Sequence, residues 1–269
     1  MRRIAILSIG LLAALPAFSQ TPAAAPAGAM GASGAAAAPK GPHPKSNAEN
    51  DALLAMFKAT DPDAQIKAAE ELIKTYPDTD YKAQVYLVES QAYHQKRDDP
   101  KALVFGDQAL EADPKNYATL LLLAEIYSRS SKSTDLDLND KLTKSDKYAK
   151  DALALLAVAP KPKQDLADAD WAGIKAGQQS QAYLSLGFSA LLQKKYDEAK
   201  ANFQKGSDMY PDPLDMLYIE RAYADAKRYD DAIAWADKAS GSPNANDKLK
   251  QIAASDKTRA QNLKKTQTQ

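Results

Sequence analysis

The sequence predicts an all-α fold made of helical hairpins stacked side by side, an α-solenoid. Three observations carry this. Apolar and small residues recur at spacings of three and four through residues 48 to 240, the period of a helix face. The same frame of small and large residues returns along the chain, so the hairpins are copies of one unit. Prolines close the hairpins at Pro77, Pro114 and Pro211, where a ring cannot continue the hydrogen-bond ladder. The abundance of alanine favours helix throughout.

Composition excludes several functions. Without cysteine there is no disulfide, thiolate metal site, cysteine nucleophile or cysteine-linked lipid. With 35 basic and 35 acidic residues the chain lacks the broad positive footprint of a nucleic-acid binder.

Residues 1–19 read as an export signal. Met1-Arg2-Arg3 is a positive start, Ile4 to Leu15 is an apolar run, and small residues lead to cleavage after Ser19. The competing reading is an uncleaved anchor, but the run from Ile4 to Leu15 is too short to cross about 30 Å of hydrocarbon. Cleavage would remove Arg2 and Arg3, leaving a slightly acidic chain with no membrane span. The signal's style points to a bacterial envelope, with a periplasmic or secreted destination. Residues 20–47 read as a disordered linker. From Thr21 to Pro44 the chain is mostly Ala, Pro and Gly, with nothing large to bury. His43 lies there with no expected partner.

The clearest hairpin is residues 183 to 212. Tyr183, Leu186, Gly187 and Ala190 share one helix face, and Ala199, Phe203 and Gly206 share another. The small residues let two antiparallel helices approach, and the large ones fill the space beside them. Upstream, Tyr86, Ser90 and Tyr93 pair with Ala102 and Ala109. Glu89 stands where the clearest hairpin has Leu186, and Gly106 where it has Phe203. The next hairpin joins Leu120, Leu123, Ala124 and Tyr127 to Ser145, Ala149 and Ala152. The step from Ala124 to Ser145 is longer than the step from Ser90 to Ala102, so about nine residues are inserted. A further hairpin holds Ile219, Tyr223, Tyr229, Ala232, Ala236 and Ala239, with Glu220 at a small-residue position, which predicts looser packing. A degenerate pair precedes them all: Ala52 to Lys58, then a helix capped by Asp61 and Pro62 and ending at Tyr76.

These units resemble the tetratricopeptide repeat (TPR). The large–x–x–Leu–Gly pattern ending at Gly187, the alanine at Ala199, the aromatic at Phe203 and the following Pro211 are all its marks. The resemblance implies a right-handed superhelix of helix pairs over residues 48–240. An ordinary helix bundle is the alternative. Residues 165 to 192 are expected to form one long helix containing Trp171 and Ile174. Residues 241–269 are expected to hold a polar capping helix, over residues 245 to 265, and a tail.

No catalytic constellation is present: no G-x-S-x-G, no H-E-x-x-H and no phosphate-binding glycine loop. The chain is therefore expected to be no enzyme and to need no cofactor or metal. The insertion Asp135-Leu136-Asp137-Leu138-Asn139-Asp140, continuing to Asp146, imitates the spacing of a calcium loop. It lacks the required glycine and terminal glutamate, and Lys141 and Lys144 lie inside it. A solvated, helix-capping loop is the preferred reading.

By the resemblance, the first helix of each pair lines a concave groove. The residues implied are Gln84, Leu87, Gln91, His94 and Gln95, then Leu121, Glu125 and Arg129. The later units add Gln181, Leu184, Phe188 and Leu191, then Leu217, Arg221 and Asp225. Phe188 and Leu191 could instead be buried by a neighbouring helix. The lining lacks the lysine set by which some relatives hold a terminal carboxylate. It implies a protein or peptide partner with apolar anchors, no nucleic acid, and a scaffold role in the cell envelope. The alternatives are a self-assembling structural protein or a regulatory subunit of an envelope enzyme.

Overall fold

A computed structural model describes residues 42–267. The segment read as an export signal, residues 1–19, and most of the expected linker lie outside the described residues. Among the described residues there are eleven helices and no strand. None of these helices is long and apolar enough to cross a membrane.

The chain divides into two compact units. The first contains α1 (Asn47–Lys58), α2 (Pro62–Thr75), α3 (Lys82–Gln95) and α4 (Asp99–Ala112). The second contains α5 (Tyr117–Ser130), α6 (Leu138–Val158), α7 (Asp168–Leu192), α8 (Tyr196–Met209), α9 (Pro213–Asp225), α10 (Tyr229–Gly241) and α11 (Asp247–Gln267). Within each unit a helix packs mainly on its neighbours in sequence. The helical repeat is thus an observed feature, not only a pattern of residues.

Local chemistry sets the boundaries. A carboxylate or amide opens several helices by accepting a backbone N–H left without an intrahelical partner. Asp61 accepts from Ala64 at 3.0 Å, Asn116 from Thr119 at 3.1 Å and Asp212 from Leu214 at 2.7 Å. Pro62 and Pro213 sit just inside their helices, where a missing N–H costs nothing. Pro77, Pro114 and Pro211 follow the ends of α2, α4 and α8, as expected.

The turn between the two helices of a pair has its own repeated geometry. Arg97, Lys194 and Lys227 have φ of 63°, 60° and 58°. The next residue's N–H reaches back to a carbonyl in the last turn: Asp98 to Tyr93 and Lys195 to Ala190, each at 2.9 Å, and Arg228 to Tyr223 at 2.8 Å. This is a left-handed helix stop. Glycine would adopt it freely, whereas for an L-residue it costs about 1–2 kcal/mol. A basic residue is favoured at such a stop by the negative end of the helix it terminates.

The seam inside each pair explains the small residues. A side chain added at Gly187 would meet the ring of Phe203 at 2.4 Å. One added at Gly206 would lie 3.1 Å from the carbonyl of Ser180, and Ser180 Oγ donates to the Gly206 carbonyl at 2.8 Å. Ser90 Oγ donates to the Ala102 carbonyl at 2.7 Å, and Ser145 Oγ to the Ala124 carbonyl at 2.9 Å. Each bond ties one helix of a pair to the backbone of the other. Phe203 fills the space beside the seam in the second unit. It meets Phe188, Tyr223 and Trp235 edge-on at 4.9, 5.7 and 6.4 Å. In the first unit Leu53, Met56, Leu72, Tyr81 and Val85 form the core. There Tyr93 stacks on Phe105, the aromatic next to Gly106, at 5.3 Å.

Some expectations need correction. Glu220 does not loosen its helix: it is fully buried, and neither carboxylate oxygen has a partner. The helix tolerates it because burial pushes its pKa up to about 7, with Asp256 adding to the effect, so the side chain is readily kept neutral. Glu89 behaves alike, being 1% exposed and raised to about 7 by burial and then by Glu70. His43 is not partnerless, since its Nδ1 lies 3.4 Å from Asp80. Folded structure also begins inside the expected linker. Tyr81 Oη donates to the Pro42 carbonyl at 2.9 Å, and Ser46 caps α1.

The insertion is mostly helical. Residues 131–137 form the connection, and the rest lengthens α6 to 21 residues. The long helix appears as α7, with Trp171 buried, and the capping helix as α11.

The seam, the turn and the buried acids each generate a measurable outcome. Gly187→Ala or Ala199→Leu overpacks the seam and costs about 1–3 kcal/mol, whereas Lys200→Leu on the exposed face changes stability much less; denaturant unfolding measures the contrast. Lys194→Gly relieves a left-handed residue and stabilises by about 0.5–1 kcal/mol, seen as a raised Tm. Glu89 and Glu220 make stability depend on pH with a definite sign. Below about pH 4 both carboxyls are protonated in either state and contribute nothing. Between there and about pH 7 the unfolded chain ionises while the folded one does not, so stability falls as pH rises. Above that window the loss is complete. Thermal melts should show a higher Tm at pH 5 than at pH 8, and the double variant E89Q/E220Q should flatten this dependence.

Candidate recognition surface

The residues expected to line a groove separate into a buried half and an accessible half. Leu87, Leu121, Leu184, Phe188, Leu191 and Leu217 are all buried, from 0% to 9% exposed. They cannot act as open apolar anchors in this arrangement. The reason is helical geometry. In the second unit α5 packs on α7 and α7 on α9, so the stripe Leu184, Phe188 and Leu191 forms a seam between first helices. Truncating Phe188 would therefore damage the core before it damaged recognition.

The polar half is accessible. In the first unit Gln84 and Gln91 are half-buried on α3, and Gln95 is exposed at its end. His94, expected to be solvated or to line the groove, is 2.7 Å from Asp99 of α4 through Nδ1. That contact ties it to the neighbouring helix.

In the second unit the polar residues converge. Glu125 is gripped on both oxygens: Arg129 Nη1 lies 2.8 Å from Oε1, and Gln181 Nε2 donates to Oε2 at 2.8 Å. The Arg129 guanidinium lies over the Tyr218 ring, 4.2 Å from its centre, and 5.7 Å from that of Phe188. Asp215 joins this group from α9. Burial pushes its pKa up to about 7, Asp212 and Glu125 raise it further, and Arg129 only partly opposes them. It makes no hydrogen bond or salt bridge among the described residues. Farther along α9, Arg221 pairs with Asp256 of α11 at 3.2 Å, and Asp225 is exposed.

Asp215 and Tyr218 were not among the expected lining residues. They were within reach of the same logic, since both lie on α9 at three-residue steps before Arg221. The expectation took Leu217, one position away, and so selected the buried edge of the face.

This surface presents groups suited to noncovalent contact. Arg129 offers a positioned cation, Tyr218 an aromatic face, and Asp215 a carboxyl without a partner. Among the described residues no three histidine or carboxylate side chains gather as a metal site. In the inserted loop Lys141 Nζ sits 2.9 Å from both Asp135 and Asp137. Its ammonium holds Asp135 below the usual carboxylate range. Since α6 begins at Leu138, Asp140 and Asp146 belong to a helix rather than to a loop. A cavity of about 590 Å³ opens elsewhere, beside α6 and the α7–α8 turn, among Asp146, Lys147, Asp151 and Lys195. Lys147 pairs with Asp151 there at 2.6 Å.

No family model matches the chain, and no curated protein matches it. Among solved structures the chain is similar to a thermophilic TPR protein of Thermus thermophilus. The two share 18% identity with a TM-score of 0.53, over 77% of this chain and 98% of that one. This likeness shows the fold, which is of the TPR type.

One substitution tests the electrostatics of the cluster. Below about pH 3, under the ordinary aspartate pKa, Asp215→Asn should match the native Tm, because the acid is then protonated in the folded and unfolded chain alike. As pH rises toward about 7 the unfolded acid ionises and the folded one does not, so the native protein loses stability that the variant keeps. At pH 8 Asp215→Asn should therefore melt higher. Paired thermal melts across this range check the sign.

Proposed function

We propose that this protein is a non-catalytic scaffold of the bacterial cell envelope that holds a segment of another protein on its first helices. The carrying observation is the cluster of Glu125, Arg129, Gln181, Asp215 and Tyr218 in the second unit. Three carboxyl groups, Glu125, Asp212 and Asp215, accompany a single guanidinium there, and Asp215 lacks a partner. A partner segment bearing an arginine or lysine would supply the missing cation, and Tyr218 an aromatic face for it. The TPR-type fold supports a role in protein recognition rather than catalysis, and the export-signal pattern of residues 1–19 supports the envelope.

Self-assembly is less favoured. The large apolar side chains that stand exposed, Val104, Leu136, Val158, Tyr210 and Leu263, come from separate elements. Scattered residues of this kind are ordinary on a protein surface.

A photocrosslinking amino acid placed at Tyr218 should capture a partner protein in cells, identified by mass spectrometry. The same probe at Lys200, on the exposed face of α8, should not. Arg129→Ala should weaken capture at Tyr218 with a small change in Tm. Equal capture at both positions counts against the proposal, and an adduct of two copies of this chain would favour self-assembly instead.

A further inference from the structure

The last helix of the second unit, α11, packs on one side only, against α10 and α9, and lies near a buried acid. The only side chains of α11 that are fully buried are Ala253 and Ala260, and residues 261–267 are exposed throughout. Leu249 and Ile252 add partly buried contacts. Three ion pairs fasten α11: Lys257–Asp237 and Lys264–Asp230 lie at the surface, where such pairs contribute little, and Arg221–Asp256 has a largely covered carboxylate. Four apolar side chains and three ion pairs thus hold α11, all of them on the one side that faces α9 and α10.

Near it lies Glu220 of α9, on which Asp256 and Arg259 of α11 both act. Its carboxyl is sealed from solvent and has no hydrogen-bond partner, and one turn on the Tyr223 hydroxyl is likewise buried and unpartnered. The repeat frame places a small residue here: Ser90, Ala124 and Gly187 in the other pairs. A glutamate at this seam therefore imposes a burden that packing alone would not select. A buried carboxyl is tolerated while neutral and is costly once ionised.

The charged groups around Glu220 do not compensate it. From α11 come Asp256, which raises its pKa, and Arg259, which lowers it. From α9 itself come Arg221, already paired with Asp256, and Asp225. The α10 and α8 carboxylates nearest this core, Asp231 and Asp197, act on Tyr223 together with Arg228 of the α9–α10 turn. α7 has no charged residue after Lys175.

We propose that α11 is a detachable cap whose docking is governed by the charge on Glu220. With Glu220 neutral, α11 stays seated on α9 and α10. With Glu220 ionised, solvating the charge requires opening a contact around it, and α11, which is packed on one side only, is the element that moves. Release also frees Arg221, which α11 otherwise occupies through Asp256. Any effect of that release on partner binding rests on the recognition surface proposed above, whereas the movement of α11 does not.

The absence of native cysteine allows clean labelling of the full chain. Spin labels at Ala201 of α8 and Ala254 of α11, both exposed, report docking by pulsed electron resonance. Labels at Ala201 and Ala234 of α10 report the remainder of the unit. The α8–α11 distance should be single at pH 6 and broad, with longer components, at pH 8.5. The α8–α10 distance should not change. In Glu220→Gln the α8–α11 distance should stay single at both pH values. An unchanged α8–α11 distance in the native chain overturns the proposal. So does equal broadening in Glu220→Gln, or broadening of the α8–α10 pair to the same extent.

Discussion

Two antiparallel helices can lie close only where a backbone meets a backbone with little between, and this molecule is organised by that constraint. Ser180 against Gly206, Ser90 against Ala102 and Ser145 against Ala124 are versions of one contact. Each fixes the separation of a pair, and the large side chains then fill the wedge at either side. A helix pair of this length exposes too much apolar surface to stand alone, so the next pair must cover it. Turn, seam and stacking are thus consequences of one local requirement.

The contact that could not be anticipated from that requirement is Glu220. A carboxylate at a small-residue position suggested a gap, because a charged group does not stay in a core. The structure seals it there without a hydrogen-bond partner; that burial, with the neighbouring Asp256 adding to it, pushes its pKa up to about 7 and so favours the neutral acid. Sequence spacing locates such a residue but does not reveal its protonation state, which depends on what packs above it. The relevant helix, α11, follows only after the whole of α10 has intervened.

Much of the architecture was legible because repeat frames, prolines and caps act locally. Asp61 with Pro62, the stops before Pro77, Pro114 and Pro211, and the long helix through Trp171 are all read from a few adjacent residues. The candidate surface was legible only by half. Glu125, Arg129 and Gln181 were named and do converge, but Leu184, Phe188 and Leu191 belong to the seam between first helices. A stripe that faces a groove and a stripe that faces the next helix differ by about 100° of rotation, a single residue. Tyr218 and Leu217 show the difference: one is partly exposed under Arg129, the other is 2% exposed in the core.

The serine bonds across the seams have an implication for how such a chain can change over time. In α3–α4 the first helix supplies the hydroxyl and the second the carbonyl, whereas in α5–α6 the roles are reversed. The bond is indifferent to which side donates, because each side offers a backbone oxygen at close range. Serine and alanine can therefore trade places across a pair through an Ala–Ala intermediate that loses one hydroxyl and no packing volume to speak of. Sequence drift along that path would leave the spacing of the hairpin intact while erasing the motif by which the eye finds it.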